Sequence, residues 1–313
     1  MSSNHVTGVT AQATSKVQPK KEETPKQQKV QTPEKTKEVS GELSKEAGLD
    51  IGTMNVIASR ERNGKVETKR IRNVFLDLDP EQIKMLKLSR DTSYITLEDK
   101  CYILGDDAAT IANIFGRKLR HPMEKGILAP GEIQSMQILK ILIKEVLGEA
   151  PDGGICTVSS PATPMDSMTD CVFHEAMIRN IVEDLGWEVE ISTEAHAMIF
   201  SECADTSFSG LCLSFGHGMV NLDLSFKSIS CLSFSTSRSG SWIDENSAIA
   251  TGRTPAQMCA IKEKGIDLLK MSGNREEQAI TIYYKHLIKY TIKNFIQKFK
   301  ELQGNIELPD SIL

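Results

Sequence analysis

Hydrophobic and polar residues alternate over several short runs of this chain, and this period-two pattern predicts β-strands. The clearest case covers 48–58, where Gly52 separates two apolar runs, so we predict a strand, a tight turn and a second strand. A second glycine-rich turn interrupts an alternating run at 214–221. Other alternating or apolar runs predict strands over 66–78, 93–97, 100–104, 154–162, 187–192 and 228–234.

Apolar residues recur at helical spacing between these strands. The longest such pattern covers 130–148 and predicts an amphipathic helix. Thr254 and Pro255 mark another helix start, because threonine caps a helix and proline suits its first position. Further helices are predicted over 82–89, 106–115, 170–186, 194–203, 241–250, 262–271 and 275–302. This mixture of strands and helices indicates an α/β protein.

Composition narrows the classes of protein that fit. The 313 residues suffice for one large domain or two ordinary ones. A formal net charge of -5 without a dominant basic face argues against a nucleic-acid partner. No apolar run reaches the roughly 18 residues of a membrane span, and the N-terminus has no signal-peptide pattern. We therefore expect a cytoplasmic protein without a transmembrane segment.

The cysteines are scattered along the chain, with no C-x-x-C pair among them. Scattered cysteines in strand-like runs are typical of free thiols in a reducing compartment. The sequence therefore predicts neither disulfides nor a zinc site. The seven cysteines are Cys101, Cys156, Cys171, Cys203, Cys212, Cys231 and Cys259.

Residues 1–46 consist largely of Lys, Glu, Gln, Thr, Ser and Pro, with isolated valines. Such a segment lacks the apolar content that would offset the entropy of ordering, so we predict a disordered tail. The tail is either a plain solvated segment, which we favour, or an attachment for a protein partner. The globular part begins near Ala47.

The first glycine turn has the chemistry of an anion site. Gly52 allows a sharp turn and a close approach of the backbone to a ligand. Thr53, Met54 and Asn55 then offer backbone N–H groups, together with the Thr53 hydroxyl. Asp50, at the end of the preceding strand, is placed to hold a hydrated cation beside the anion. An ordinary β-hairpin with a glycine turn is the alternative.

Several other segments follow in an ordered series with the two turns. The series comprises 48–55 (GLDIGTMN), 120–127 (RHPMEKGI), 158–162 (VSSPA), 193–197 (TEAHA), 214–221 (SFGHGMVN) and 239–244 (SGSWID). In order and spacing it resembles the motifs of the actin-like ATPase superfamily, and most closely those of the MreB-type bacterial cell-shape actins. The resemblance covers about 47–308, and 48–55 and 214–221 stand at the two phosphate motifs.

The resemblance implies a duplicated ribonuclease-H-like fold with two lobes around a nucleotide cleft. The first lobe would cover 47–193, with a small inserted subdomain at about 79–118. The second lobe would cover 194–313, with a helical subdomain at about 252–303. By this resemblance the chain is short at its C-terminus, ending where the family continues into a strand and an adenosine-binding turn.

The resemblance also implies roles for particular residues, with ATP and Mg²⁺ as the ligands. The first hairpin, from Asp50 to Asn55, would hold the β- and γ-phosphates, and Asp50 would hold Mg²⁺ through water. The second turn would close over the phosphates from the other side through Gly216, His217, Gly218 and Met219. Glu194 would position the attacking water, and Glu263 would lie near the adenosine. As a purely structural alternative, Glu194 is a charge favoured by the N-terminus of its helix.

Three departures from the family bear on activity. Ser214 stands where the family has an aspartate that holds waters around Mg²⁺, and an uncharged hydroxyl is a poorer partner for the metal. His217 replaces a small or acidic residue, so it either contacts a phosphate or is a tolerated turn residue. His196 likewise replaces a small residue beside Glu194.

Three hypotheses for function follow. The first is an ATP-binding protein with weak ATPase activity that self-assembles into cytoskeletal filaments. The second is a degenerate actin-fold scaffold that does not hydrolyse nucleotide. It is supported by Ser214 and His217, which depart from the family's second phosphate motif. The third, a chaperone-type ATPase, is disfavoured because the sequence shows no substrate-binding β-domain. We predict the first.

Overall fold

The computed structural model describes residues 30–31, 43–79, 81–83, 92–97, 100–129, 131–132, 134–168, 171–270, 273–302, 308–309 and 311–313. Its strands are β1 (Val30–Gln31), β2 (Leu43–Ile51), β3 (Asn55–Arg62), β4 (Lys65–Arg72), β5 (Phe75–Leu78), β6 (Tyr94–Leu97), β7 (Lys100–Leu104), β8 (Met123–Glu124), β9 (Ile127–Leu128), β10 (Ile155–Ser160), β11 (Glu188–Thr193), β12 (Gly210–Phe215), β13 (Val220–Phe226) and β14 (Ile229–Thr236). Its helices are α1 (Gly105–Phe115), α2 (Ser135–Leu147), α3 (Cys171–Glu183), α4 (Glu194–Glu202), α5 (Gly240–Thr251), α6 (Pro255–Glu263) and α7 (Arg275–Glu301).

The first half of the chain is built on a five-stranded mixed sheet in the order β11-β10-β2-β3-β4. Strands β2, β3 and β4 form an antiparallel meander, and β10 pairs in parallel with both β2 and β11. Apolar side chains of β2 and β3 alternate into a core that α2 and α3 cover. Because Val158 pairs with Leu49, the carboxyl end of β10 lies beside that of β2, next to the first glycine turn.

A smaller four-stranded sheet, in the order β1-β6-β7-β5, packs with α1 around its own apolar cluster. This cluster begins at Val74, slightly before the inserted subdomain predicted at 79–118. Strand β2 begins at Leu43, before the predicted tail boundary at residue 46, and β1 pairs with β6 from within that tail. The rest of the predicted tail lies outside the described residues.

The second half is built on a three-stranded antiparallel sheet in the order β12-β13-β14. Helix α4 packs on β12 and β13, while α5, α6 and α7 enclose an apolar cluster that includes Val220 of the sheet. Backbone hydrogen bonds join β12 to the last residues of the chain, from Leu211 N to Ser311 O at 2.9 Å and from Leu213 N to Leu313 O at 3.0 Å. Residues 311–313 thus extend this sheet in parallel with β12.

Among the described residues one predicted helix is wrong, and most of the helix predicted over 82–89 lies outside them. Thr254 caps α6 as expected, with its side chain accepting from Gln257 N, but the helix ends at Glu263 and does not continue through 264–270. The physical reason is Gly265, whose φ of +90° lies in a region that a continuing helix does not use. Across the described residues, no helix combines the length and the apolar character that crossing a membrane requires.

Candidate functional site

The two glycine turns face each other across a cavity of about 180 Å³, which we call the hairpin cavity. All the predicted site residues line it except Glu263. The lining comprises Asp50, Ile51, Gly52, Thr53, Met54, Asn55, Ile57, Gly126, Ser159, Ser160, Pro161, Glu194, Gly216, His217, Gly218, Met219 and Asn221. Residues more than 160 positions apart in sequence therefore meet at one place.

The first turn is held from behind by Asn73, which is fully buried. Gly52 N donates to Asn55 O at 2.9 Å and closes the turn. The Asn73 side-chain amide donates to Gly52 O, and Asn73 N donates to Met54 O, both at 2.9 Å. Sequence reasoning missed Asn73, because only its position just after β4 in the fold brings it to the turn.

Asp50 presents a carboxylate at one wall of the hairpin cavity. Ser159, at the end of the neighbouring strand β10, donates a 2.5 Å hydrogen bond to Asp50 Oδ1. Burial raises the pKa of Asp50 above its usual 3.8, and the Ser159 hydrogen bond opposes that shift. Partial burial makes the ionised form of this carboxylate less stable. A cation bound beside it would stabilise the ionised form, because it compensates the negative charge.

Glu194 faces the cavity from the first turn of α4, and two side chains fix its carboxylate. The Ser214 hydroxyl donates to Oε1 at 2.5 Å, and the Asn221 amide donates to Oε2 at 2.7 Å. Asn221 is in turn fixed by Ala162 N, which donates to its Oδ1 at 3.1 Å. Burial, helped by the negative charge of Asp50, raises the pKa of Glu194.

The two hairpin turns are in direct contact at one edge of the cavity. Gly126 N, which lies in the turn between β8 and β9, donates to Thr53 Oγ1 at 3.0 Å at the same edge. A Cβ atom at Gly218 would lie 2.1 Å from Thr53 Oγ1 and 2.5 Å from Gly126 N. Only glycine fits at position 218 with the turns this close, because both approaches are far shorter than a van der Waals contact.

His217 lies between the cavity and the helices behind the second turn. Its Nδ1 is 3.8 Å from Asp244 Oδ2, and the Lys262 ammonium bonds the same oxygen at 2.7 Å. Burial, with the positive charge of Lys262, lowers the pKa of His217 to about 4, so its ring is neutral at neutral pH. Ser239 fixes the turn by donating from its hydroxyl to His217 O at 2.6 Å.

Glu263 lies apart from the hairpin cavity, at the end of α6. Its side chain is 49% exposed, and its Oε2 is 3.9 Å from Nη2 of Arg72. Arg72 belongs to β4, so this ion pair bridges the two halves of the chain. Glu263 does not line the hairpin cavity, and its predicted role near adenosine stays a prediction.

The family model of volactin matches residues 46–312. The chain belongs to the volactin family. No curated protein matches it. Solved structures confirm, at the level of fold, the expected likeness to the actin-like ATPases.

This volactin-family chain is similar to the MamK double helical filament, with a TM-score of 0.61, 14% identity, and 85% of this chain and 84% of that chain covered. It is also similar to MreB5 of Spiroplasma citri. The ADP-bound structure gives a TM-score of 0.54 and the AMPPNP-bound structure 0.56, each at 15% identity with 84% of this chain and 79% of that chain covered. The chain therefore has the two-lobe α/β fold of the actin-like proteins, as predicted.

Proposed function

We propose that this protein binds Mg²⁺–ATP in the hairpin cavity, hydrolyses it slowly and assembles into cytoskeletal filaments in the cytoplasm. The observation that carries the proposal is the convergence of both glycine turns with the carboxylates of Asp50 and Glu194 on one cavity. Support for a nucleotide comes from MreB5, which is bound to ADP or AMPPNP, and support for self-assembly comes from the MamK filament.

The residues at the cavity fit the phosphate chain and a hydrated Mg²⁺. Backbone N–H groups of the first turn, Thr53 to Asn55, and of the second turn, His217 to Met219, are the donors for phosphate oxygens, while Gly216 N donates to Met219 O at 2.9 Å and closes the second turn. At Gly216 a Cβ would lie 2.8 Å from Met219 O of the same turn, so the tight closure of the second turn requires glycine there. Asp50, supported by Ser159, offers the oxygen chemistry that Mg²⁺ prefers.

Glu194 is the residue that would orient the attacking water. Phosphoryl transfer depends on positioning and on neutralising charge, and Mg²⁺ would neutralise the charge on the phosphates. The hydrogen bonds from Ser214 and Asn221 hold the carboxylate in one orientation, which is what positioning a water requires. Slow hydrolysis follows from Ser214, because the second turn contributes no carboxylate to the metal's hydration shell.

Calorimetric titration of Mg²⁺–ATP into the full chain tests the binding step. We expect saturable binding that Asp50→Ala abolishes. Asp184→Ala is the matched control, since Asp184 is an exposed carboxylate paired with Lys140 at 2.6 Å, away from the cavity. Absence of binding to the unaltered chain overturns the nucleotide proposal.

A scaffold that does not hydrolyse nucleotide is the second candidate, and the serine at position 214 favours it, because an uncharged hydroxyl is a poor partner for Mg²⁺. Sedimentation with ATP, with ADP and without nucleotide separates the two. Nucleotide-dependent pelleting with phosphate release supports the filament-forming ATPase, whereas pelleting that is indifferent to nucleotide supports the scaffold. The 1–46 tail is then the attachment to test by deletion, with capture of a partner as the readout.

A further inference from the structure

Three side chains with metal-binding atoms meet behind the second turn, outside the hairpin cavity's carboxylates. They are His217 from the β12–β13 turn, Asp244 from α5 and Cys259 from α6, and one ligand atom of each lies within 4.8 Å of those of the other two. Asp244 is buried, and the other two are partly buried. The set combines a nitrogen, an oxygen and a sulfur atom.

Asp244 supplies an independent sign that a cation belongs here. The residue is only 2% exposed, and its Oδ2 accepts a hydrogen bond from Lys262 at 2.7 Å. Its Oδ1 is buried and has no hydrogen bond of acceptable geometry within the described part of the chain, although the Cys259 thiol is close enough to the carboxylate to interact with it. A buried carboxylate oxygen without a partner costs the folded state free energy, and a bound cation at Oδ1 removes that cost.

We propose that His217, Asp244 and Cys259 bind a zinc-type divalent metal ion, with water as the fourth ligand. Zinc is bound tetrahedrally by imidazole nitrogen, thiolate sulfur and carboxylate oxygen, which are the three atoms present. Mg²⁺ fits poorly, because it demands oxygen ligands in octahedral geometry. On binding, the Cys259 thiol gives its proton to solvent as the metal–sulfur bond forms, and the three side chains close in by rotamer adjustment.

Lys262 sets the strength of the proposed site. Its ammonium bonds both Asp244 Oδ2 and Gly240 O, at 2.7 and 2.8 Å, and so places a positive charge beside the metal. Lys262 and His217 Nδ1 both lie against Oδ2, at 2.7 and 3.8 Å, so Oδ1 is the oxygen that remains for the ion. Replacing the ammonium in Lys262→Met frees the second oxygen and removes the repulsion, so we expect tighter metal binding in that variant.

The site would add a metal bridge to three elements that hydrogen bonds already join: Ser241 N donates to His217 O at 2.8 Å, and Lys262 of α6 donates to Gly240 O of α5 at 2.8 Å. A metal bound to His217 fixes the second turn against α5 and α6. That turn is the one that contacts Thr53 across the hairpin cavity. This metal is distinct from the Mg²⁺ of the proposed nucleotide site, and its binding needs no nucleotide.

The test uses the full chain, stripped of metal with a chelator and kept free of nucleotide. Zn²⁺ is titrated calorimetrically, and Co²⁺ is added as a spectroscopic probe because its thiolate complexes show a charge-transfer absorption. The expected result is one equivalent of each ion with thiolate-to-cobalt absorption. Cys259→Ser and His217→Asn should weaken zinc binding by more than about tenfold, and Cys259→Ser should abolish the absorption.

Matched controls are Cys231→Ser, another partly exposed free thiol, and His286→Asn, an exposed histidine. Both control variants should bind zinc as tightly as the unaltered chain does.

No zinc binding by the unaltered chain, or a cobalt absorption that survives Cys259→Ser, overturns the proposal. Zinc should also raise the melting temperature of the unaltered chain and of Cys231→Ser but not of Cys259→Ser, which separates lost binding from a failure to fold. Because ATP is absent, failure here is distinguishable from failure of the nucleotide proposal.

Discussion

The Ser214 hydroxyl donates a 2.5 Å hydrogen bond to Oε1 of Glu194, so the second turn is tied to the start of α4. The actin-like family that the sequence resembles has an aspartate at this position, which holds waters around Mg²⁺. In this chain Ser214 instead donates its hydrogen bond to Glu194. A serine at position 214 therefore removes a carboxylate from the metal's surroundings and at the same time supplies a hydrogen bond that orients Glu194. Residue 214 is for this reason the first position to mutate.

Restoring the family's residue with Ser214→Asp should destabilise the protein at neutral pH. The new carboxylate lies against the Glu194 carboxylate in a buried site, and like charges there repel. Burial already raises the pKa of Glu194, so the penalty should shrink as the pH falls and one carboxyl takes up a proton. Urea denaturation at pH 7 and pH 5 measures this.

The matched control is Ser214→Asn, which has nearly the same shape as the aspartate and donates to Glu194. We expect a loss of a few kcal/mol for the aspartate variant at pH 7, on the scale of about 3–5 kcal/mol for an uncompensated buried charge, and much less for asparagine. Equal stability of the two variants at pH 7 would contradict the structure's placement of these side chains.

Neutralising the other partly buried carboxylate of the cavity, with Asp50→Asn, should stabilise the fold and abolish ligand binding. Burial raises the pKa of Asp50, so the ionised carboxylate costs stability above its folded pKa, and this cost is lost as the pH falls through that pKa. The melting temperature of Asp50→Asn should therefore exceed that of the unaltered chain at pH 7 and approach it near pH 4.

Calorimetry on the same variant should find no Mg²⁺–ATP binding. Asp184→Asn, at an exposed site, is the control and should change neither property. A variant that melts lower than the unaltered chain at pH 7 would show that Asp50 has a stabilising partner that this structure does not contain.

Gly218→Ala should force the two hairpin turns apart. The added Cβ would lie 2.1 Å from Thr53 Oγ1 and 2.5 Å from a backbone nitrogen, and a backbone atom yields less readily than a flexible side chain. We expect a loss of about 1–3 kcal/mol from overpacking, together with loss of nucleotide binding. Gly273→Ala is the control, because nothing lies within 4 Å of its added Cβ. Equal melting temperatures for the two variants would argue against contact between the turns.

His174 should make the protein acid-sensitive. It is buried in α3, and burial lowers the pKa of its ring from 6.5 to about 4. A lowered histidine pKa means that the unfolded chain takes up the proton first, so stability falls as the pH drops from about 6.5 to about 4, by up to about 3 kcal/mol. His174→Gln should flatten this part of the stability profile, and His286→Gln should leave it unchanged. An unaltered slope in His174→Gln would assign the acid sensitivity to other groups.

Local patterns in the sequence predicted most of the elements. Period-two alternation and Gly52 identify the β2–β3 hairpin, and the Thr254 cap identifies the start of α6. The helix predicted over 262–271 does not form beyond Glu263, because Gly265 adopts a positive φ that interrupts the helix despite the apolar spacing around it. Such signals are local, since propensity, capping and glycine geometry act over a few neighbouring residues.

The sequence by itself thus determined most of the strands, most of the helix starts, the two glycine turns and, through the ordered motifs, the actin-like fold. Only the tertiary structure decided which residues meet: Ser214 with Glu194, Gly218 with Thr53, Asn73 beneath the first turn, and His217 with Asp244 and Cys259. The reason is physical. Each of these contacts joins segments that are distant along the chain and are brought together by strand register and helix packing, so no local pattern of residues encodes them.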